Sequence, residues 1–329
     1  MKKDPVSGVL KPFDFKQIMS EVPEVAKFGH RIDTVSFSPL IDSSDVRPDF
    51  WVRLATLIKE RYEEYDGFVI LHGTDTMAYS AAMLSFMLGN LEKCVVLTGS
   101  QLPIGMLRTD GRENFISAIE IAAAADEEGH AMVPEVCIFF ENQLMRGNRT
   151  TKFHADNFRA FSSPNYPPLA EVGIRIKYNT QAILRPSSWG RPLTVRTSVD
   201  TRVALLKIFP GMSTEYVSAV TGTDGMRALV LETFGAGNAP ASEWFLDAIK
   251  GCTSKGIAVI NITQCRAGSV DMGAYAGGAA LDACNVTSGH DMMTEAAIAK
   301  LFVLLGLYDD IRTVEKEMER AWCGEISEE

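Results

Sequence analysis

Short runs of apolar residues alternate with amphipathic stretches along the first half of the chain. The run DGFVILHGTDTM (66–77) is followed by AYSAAMLSFMLGNL, the run KCVVLTGSQLP (93–103) is followed by GRENFISAIEIAAAA, and a third run is VCIFF (136–140). This alternation is typical of α/β folds. Because Phe68–Leu71 and Val95–Leu97 are apolar without a break, we expect strands that are buried on both faces of a parallel sheet.

The segment ahead of these strands has the pattern of an amphipathic helix. In PDFWVRLATLIKERYEEY (48–65), apolar residues recur at helical spacing with charged residues between them. The apolar positions are Trp51, Leu54, Leu57, Ile58 and Tyr62. We expect this helix to cover the sheet.

Between Arg175 and Thr201 the pattern gives way to polar sequence that contains Pro, Ser and Arg. Such sequence suits a connection between domains. Apolar runs followed by polar or helical segments resume at 203–211, 227–240 and 256–265. The chain of 329 residues also exceeds the ~250–300 residues at which one core usually stops growing. We therefore predict two α/β domains with parallel sheets flanked by helices, residues 1–184 and the smaller 203–329, joined by a linker over 185–202.

Composition narrows the classes of function. The chain is 46% apolar and 22% charged, as expected of a globular protein. Its net charge of −10 argues against a nucleic-acid partner, because such proteins present a basic surface to phosphate groups. No stretch approaches the ~20 apolar residues of a membrane span, and no apolar segment follows the N-terminal lysines. The six cysteines lack zinc-site spacing, so we expect reduced thiols and no metal. From the lack of an apolar span and of an apolar segment after the lysines, we expect no membrane partner and a cytoplasmic location.

The segment HGTDTM (72–77) is the strongest candidate for chemistry. Thr74, Asp75 and Thr76 stand where a strand passes into a helix, and ligands of open parallel sheets bind beyond the carboxyl ends of the strands. The alternative is that Asp75 or Thr76 only caps the helix by binding its free N–H groups. From the spacing alone both interpretations stay open.

Other polar residues give weaker signals. Gly99 in TGSQLP (98–103) would let the backbone approach a ligand, or it marks an ordinary turn. Asp110 is expected to cap a helix that begins near Arg112. Lys152 is a candidate base, although a lysine in a polar loop is usually only solvated. His72 and His154 lack a third ligand for a metal site.

Together these segments resemble a family, the bacterial type I, cytosolic L-asparaginases. The resemblance spans nearly the whole chain and is strongest where HGTDTM follows a Gly-Phe-Val-Ile strand. The matching segments are IDSSDV (41–46), YDGFVILHGTDTMAY (65–79), LTGSQLP (97–103), RTDGREN (108–114), RGNRTTK (146–152), GAGNAP (235–240) and NITQC (261–265). The resemblance implies hydrolysis of the side-chain amide of L-asparagine to L-aspartate and ammonia, no cofactor, and a homo-oligomer built as a dimer of dimers.

The resemblance also implies the site residues. It implies a catalytic triad of Thr74, Asp75 and Lys152. For the amino-acid head group of the substrate it implies Ser43 and Ser44, with Asp75 holding the α-ammonium. The backbone around Ser100 is expected to line the amide pocket. These groups suit amide hydrolysis, which needs a nucleophilic oxygen, a base and hydrogen-bond donors for the oxyanion.

The chain departs from the family at its N-terminus. Family members open with a strand ending in Thr-Gly-Gly-Thr-Ile-Gly-Met, whose second threonine is the usual nucleophile and which precedes a mobile loop. Met1 matches the last residue of that segment, and residues 1–5 match the loop. The preferred explanation is a start codon placed too late, and the alternative is a truncated protein. If Met1 is an internal methionine, we expect a gap at the centre of the first sheet, or a rearrangement around it.

Two other functions stay open. One is an amino-acid-binding protein that keeps Ser43, Ser44 and Asp75 but has lost catalysis, so that it would release no ammonia. The other is an amidotransferase subunit that acts on misacylated tRNA through an asparaginase-like domain. The acidic charge and the lack of an appended tRNA-binding domain in the sequence argue against the second.

Overall fold

The computed structural model describes residues 2–3, 10–11 and 21–327. The chain divides into two compact units, the first ending at Val195 and the second beginning at Arg196. This division falls inside the stretch 185–202 for which the sequence predicts a linker.

The described α-helices are three in the first unit and five in the second. They are α1 Pro48–Arg61, α2 Met77–Met87, α3 Gly111–Ala123, α4 Thr214–Thr221, α5 Glu243–Ser254, α6 Ala276–Asp282, α7 Thr294–Leu307 and α8 Ile311–Met318. The strands of the first unit are β1 Lys2–Lys3, β2 Leu10–Lys11, β3 Gly67–Leu71, β4 Leu88–Gly89, β5 Cys94–Thr98, β6 Val136–Phe140, β7 Gln143–Arg146, β8 Thr151–Lys152, β9 Phe161–Ser162, β10 Ala170–Val172, β11 Ile176–Tyr178 and β12 Thr194–Val195. Those of the second are β13 Val203–Lys207, β14 Ala228–Thr233, β15 Ala258–Thr263 and β16 Thr287–Ser288.

The main sheet of the first unit is mixed rather than parallel. Its order is β11-β10-β7-β6-β5-β3. Strands β3, β5 and β6 are parallel, whereas β7, β10 and β11 join by antiparallel pairing. After β6 the chain turns back through Glu141 and Asn142, whose φ angles of 45° and 64° match a two-residue hairpin turn. Such a turn leaves no room for the crossover helix that parallel strands need. The predicted parallel pairing is therefore confirmed for β3, β5 and β6 and is wrong for the strands beyond β6.

The predicted gap at the centre of this sheet is also wrong. The six strands are hydrogen-bonded neighbours throughout, and β3 lies at one edge of the described sheet. Val95–Leu97 in β5 are fully buried, as predicted for a central strand, whereas Phe68–Ile70 in β3 are only half-buried. The loop predicted at residues 1–5 lies outside the described residues, except that β1 pairs antiparallel with β2.

Helix α1 buries the predicted face. Trp51, Leu54 and Ile58 are buried, but their helix packs against α2 and the short β12 rather than across the sheet. Just after the helix, the Tyr62 ring stacks on Phe68 of β3 with the ring centroids 6.2 Å apart. On the sheet itself, α3 packs against β3, β5 and β6.

The second unit has the predicted architecture, a parallel sheet flanked by helices. Its order is β13-β14-β15-β16, and every neighbouring pair is parallel. Alternate residues of β14 serve two separate cores: Leu229 and Leu231 pack with α4, α5 and α6, whereas Ala228 and Val230 pack with α7 and α8. This is the period of two that places successive side chains on opposite faces of a sheet.

All six cysteines are free thiols. Burial raises the pKa of the Cys137 and Cys252 thiols, and Cys265 is exposed. Over the part of the chain that the structure describes, no helix is both long and apolar enough to cross a membrane.

Candidate functional site

The candidate site forms where the parallel strands β3 and β5 end side by side. The backbone N–H of His72 donates to the carbonyl oxygen of Thr98 at 2.9 Å, which extends the pairing of the two strands by one bond. The segments that leave the sheet at this edge are 72–76 after β3 and 99–103 after β5. The candidate residues of both segments therefore meet at the carboxyl end of the sheet.

Thr74, Asp75 and Lys152 come together in the first unit. The Lys152 Nζ donates to Thr74 Oγ1 at 3.0 Å and to Asp75 Oδ1 at 2.6 Å. Lys152 belongs to β8, which is held by antiparallel pairing to β9. The Lys152 side chain is 20% exposed and that of Asp75 is 62% exposed. The three side chains thus make direct hydrogen bonds, as predicted, and the carboxylate stays open to an incoming ligand.

The hydroxyl of Thr74 has a second partner that the sequence analysis missed. Thr74 Oγ1 donates to Gln101 Oε1 at 3.0 Å. The Nε2 of Gln101 in turn donates to the carbonyl oxygens of Ala155 at 3.0 Å and Asn157 at 3.1 Å. Gln101 therefore ties the loop after β5 to the segment after β8. Its place in TGSQLP, two residues after Gly99, was the available signal.

Asp110 supports this loop instead of capping a helix. It occupies the position before α3, but its side chain makes no capping hydrogen bond. Its carboxylate accepts the backbone N–H groups of Gln101 and Leu102 at 3.0 Å, and Asn114 Nδ2 donates to it at 3.2 Å. The predicted cap is wrong because the loop after β5 lies over the first turn of α3 and takes the carboxylate.

The group that lies close to Gly99 is the protein's own backbone at His72. A β-carbon at this position would overlap the carbonyl oxygen of His72, so Gly99 allows the two strand ends to approach and does not face a ligand. Ser100 packs its side chain against Gly111. No hydrogen bond joins Ser100 to the triad among the described residues, and its predicted place in the amide pocket stays a prediction.

Ser43 lies against the loop that carries Thr74. It begins a one-turn 3-10 helix, Ser43–Asp45, and its carbonyl oxygen accepts from Thr76 Oγ1 at 2.6 Å. A β-carbon at Gly73 would overlap the Ser43 hydroxyl. By contrast, the hydroxyl and the backbone N–H of Ser44 both donate to Asp42 Oδ1 at 3.0 Å. Ser43 is therefore adjacent to the triad loop, and a ligand would have to compete with Asp42 for Ser44.

The alternative that Asp75 or Thr76 merely caps α2 is wrong. Thr76 stands at the position before α2, and its side chain makes no capping hydrogen bond. Within the described residues, the backbone N–H groups of Thr74, Asp75 and Thr76 find no acceptor. These donors lie at the positive end of the α2 dipole, which favours a negatively charged or developing anionic group.

The arginines near Lys152 in the sequence are buried away from it. Arg146 forms an ion pair with buried Glu135, with Nε 2.6 Å from Oε2, and the guanidinium of Arg149 lies over the Tyr166 ring at 5.4 Å. Burial raises the pKa of the Glu135 carboxyl. These contacts fix the segment that precedes β8. Among the described residues there is no group of three His, Cys, Asp or Glu side chains that could hold a metal ion.

Comparisons with known proteins cover nearly all of the chain. Residues 1–184 match the family model described as "Asparaginase, N-terminal", and residues 202–318 match "Glutaminase/Asparaginase C-terminal domain". L-asparaginase 1 of Escherichia coli K12 is 45% identical over 293 residues, which cover 88% of this chain and 83% of that protein. The crystal structure of L-asparaginase I from Vibrio cholerae superposes with a TM-score of 0.87 at 41% identity, covering 99% of this chain and 95% of the other. The thermostable L-asparaginase from Thermococcus kodakarensis gives a TM-score of 0.88 at 31% identity, covering 98% and 95%.

Proposed function

Since the chain belongs to the type I L-asparaginase family, we propose that it hydrolyses the side-chain amide of L-asparagine to L-aspartate and ammonia. The observation that carries the proposal is the direct contact of Lys152 Nζ with Thr74 Oγ1 and Asp75 Oδ1. A hydroxyl beside an amine supplies the nucleophile and base that acyl transfer from an amide requires.

We assign the three side chains to one catalytic group. Thr74 provides the hydroxyl. In the structure this hydroxyl donates to Gln101 and accepts from Lys152. For catalysis we assign the base to the neutral amine of Lys152, to which the Thr74 O–H turns from Gln101 across the same 3.0 Å, a distance within the reach of proton transfer. The N–H groups of the loop 74–76, which have no acceptor among the described residues, are suited to stabilise the oxyanion that forms at the amide carbonyl oxygen.

The same loop offers a binding place for a free amino acid. Asp75 is the exposed carboxylate that we assign to the α-ammonium of the substrate, and Ser43 and Ser44 are assigned to its α-carboxylate. The support is the position of Ser43, which is held against the triad loop by Thr76. The backbone at Ser100 is assigned to the amide end of the substrate because it leaves the sheet beside the loop of Thr74.

Ammonia release from L-asparagine and L-glutamine tests the proposed activity. We expect L-asparagine to be the better substrate by roughly 10–200-fold in kcat/KM, the usual value of one methylene in a fitted pocket. A coupled ammonia assay should be run on the chain from Met1 and on a form extended to the nearest upstream start codon. Equal rates with both amino acids contradict the preference. Binding of L-asparagine without ammonia release from either form supports a binding protein instead.

We also propose a cytoplasmic homo-oligomer, assembled as a dimer of dimers. The six free thiols suit a reducing compartment, and the assembly follows from the family resemblance. Light scattering coupled to size-exclusion chromatography measures the mass directly. A mass of four chains of 36.1 kDa is expected, and a mass of one chain contradicts the proposal.

A further inference from the structure

A series of hydrogen bonds, buried at its Trp51 end and exposed at Gly73, leads from helix α1 to the loop that carries Thr74. Trp51 Nε1 donates to Ser80 Oγ at 2.8 Å, and Ser80 Oγ lies 2.9 Å from His72 Nε2. On the other side of the ring, His72 Nδ1 lies 2.6 Å from the carbonyl oxygen of Gly73. Trp51 and Ser80 are buried, and the edge of the Phe50 ring closes over the imidazole with the ring centroids 5.7 Å apart.

The groups at the two ends of this series, the Trp51 indole and the Gly73 carbonyl, determine which atom donates in each hydrogen bond. The indole N–H can only donate, and the Gly73 carbonyl oxygen can only accept. His72 must therefore carry its proton on Nδ1, which leaves Nε2 as the acceptor for the Ser80 hydroxyl. Burial lowers the pKa of His72, which keeps the imidazole neutral, as this arrangement requires.

The last bond acts on the peptide group that joins Gly73 to Thr74. A trans peptide is planar, with its C=O and N–H pointing in opposite directions. Holding the Gly73 carbonyl toward the imidazole therefore turns the Thr74 N–H away from the ring. This N–H has no acceptor among the described residues, and it belongs to the residue whose hydroxyl contacts Lys152.

We propose that His72 is a positioning residue, which holds the Gly73–Thr74 peptide so that the Thr74 N–H and hydroxyl face the substrate amide together. The proposal rests on the assignment of Thr74 to the catalytic group. His72 itself touches no substrate in this role, and acts only through the Gly73 carbonyl.

Two substitutions at position 72 separate positioning from packing. In His72→Asn the amide nitrogen takes the place of Nδ1 and can still donate to Gly73, whereas in His72→Gln the amide takes the place of Nε2 and can still bind Ser80 only. Each variant therefore lacks one of the two hydrogen bonds that His72 makes. We expect His72→Gln to lower kcat for L-asparagine by roughly 10–100-fold, the scale of a misplaced reacting group, with a smaller change in KM. We expect His72→Asn to keep kcat within about threefold.

Equal kcat values for the folded Asn and Gln variants overturn the proposal, because packing alone does not distinguish the two ends of the ring. Thermal unfolding of both variants reports the fraction that is folded. If His72→Gln does not fold, Ser80→Ala provides the second comparison. It removes the hydroxyl donor to Nε2 but leaves His72 in place, and we expect a smaller fall in kcat than for His72→Ala.

The histidine tautomer gives a readout that does not depend on activity. In ¹⁵N-histidine-labelled wild-type protein, the His72 signals, assigned by their loss in His72→Asn, should show a protonated Nδ1 and an unprotonated Nε2. An Nε2-protonated ring overturns the inference even if the enzyme is fully active. Conversely, the expected tautomer in a protein that releases no ammonia contradicts the proposed function and leaves the hydrogen-bond chain intact.

Discussion

The Lys152 side chain donates hydrogen bonds to both Thr74 and Asp75. Replacing it with methionine keeps most of the side-chain volume and removes the amine. We expect Lys152→Met to lower the rate of ammonia release at least 10²–10⁴-fold, the usual value of a general base, with little change in the thermal unfolding midpoint. Lys177→Met, at an exposed position of β11, is the matched control and should keep full activity. Substantial turnover by Lys152→Met would exclude the assigned base.

Thr76 contacts the turn that we assign to substrate binding and not the amine of Lys152. Its hydroxyl donates to the Ser43 carbonyl, so Thr76→Val removes one hydrogen bond and leaves the shape nearly unchanged. A lost bond of this kind is worth about 1–2 kcal/mol. We expect KM for L-asparagine to rise roughly 5–30-fold with a smaller effect on kcat, measured by steady-state kinetics. Thr76→Ser should restore KM, and an unchanged KM in Thr76→Val would show that Ser43 needs no such support.

At the scale of elements, the approach of β3 to β5 depends on Gly99. A β-carbon there meets backbone, the His72 carbonyl oxygen, which cannot move aside without disturbing both strand ends. We expect Gly99→Ala to destabilise the protein by about 1–3 kcal/mol, the usual effect of overpacking, and to lower activity because the loop of Thr74 follows directly. Chemical denaturation measures the free energy of unfolding.

Gly251→Ala is the control for this effect. Gly251 lies inside α5, and a β-carbon there has open space. Alanine favours a helix interior by roughly 0.5–1 kcal/mol over glycine, so this variant should be slightly more stable than the wild type. A Gly99→Ala variant as stable as Gly251→Ala would contradict the close approach.

The pattern of apolar residues predicted helices and strands well where burial of those residues alone determines the element. The run Val95–Leu97 and the apolar face of α1 are buried as expected, because periodicity reports which positions face a core. The mixed sheet was missed because the tight turn at Glu141–Asn142 contains no glycine. Asn142 adopts a left-handed backbone readily, but Glu141 gives no such signal, and its conformation is set by the pairing of β6 with β7.

At the scale of the whole molecule, a buried ion pair holds the C-terminal segment in the second unit. Lys300 Nζ lies 2.7 Å from Glu325 Oε1, and both side chains are 0% exposed. Glu325 also accepts the backbone N–H groups of Trp322 and Cys323. Glu325→Ala leaves a buried ammonium without its counter-charge, and we expect it to destabilise the protein by about 3–5 kcal/mol.

The double variant Lys300→Met/Glu325→Leu tests whether the unpaired charge is the cause. We expect it to recover much of the lost stability, since apolar replacements of a buried pair are often tolerated. The exposed pair Arg61–Glu64 is the control, and Arg61→Ala should change the free energy of unfolding by no more than ~1 kcal/mol. All three variants are compared by chemical denaturation. An equal loss in the single and double variants would show that packing is the cause.

The candidate site could be predicted only in part from the sequence. The β-α alternation indicated which edge of the sheet to examine, and the family resemblance supplied Thr74, Asp75 and Lys152. Gln101, Thr76 and His72 were missed in their proposed roles. Gln101 and Thr76 act through partners far along the chain, Ala155 and Ser43. His72 joins its neighbour Gly73 to Ser80 and, through Ser80, to Trp51. No local pattern encodes such pairings. They depend on how the strand ends meet.

The candidate site residues lie in the part of the sequence that is translated first, which affects when the site can form during synthesis. The described triad residues and their hydrogen-bond partners all belong to the first unit, which ends at Val195. Ribosomes add roughly 5–20 residues per second, and domains generally fold as units during synthesis, N-terminal first. Residues 196–329 therefore take on the order of ten seconds to be translated. During that time the nascent first unit can bring Thr74, Asp75 and Lys152 together before the parallel sheet of the second unit exists.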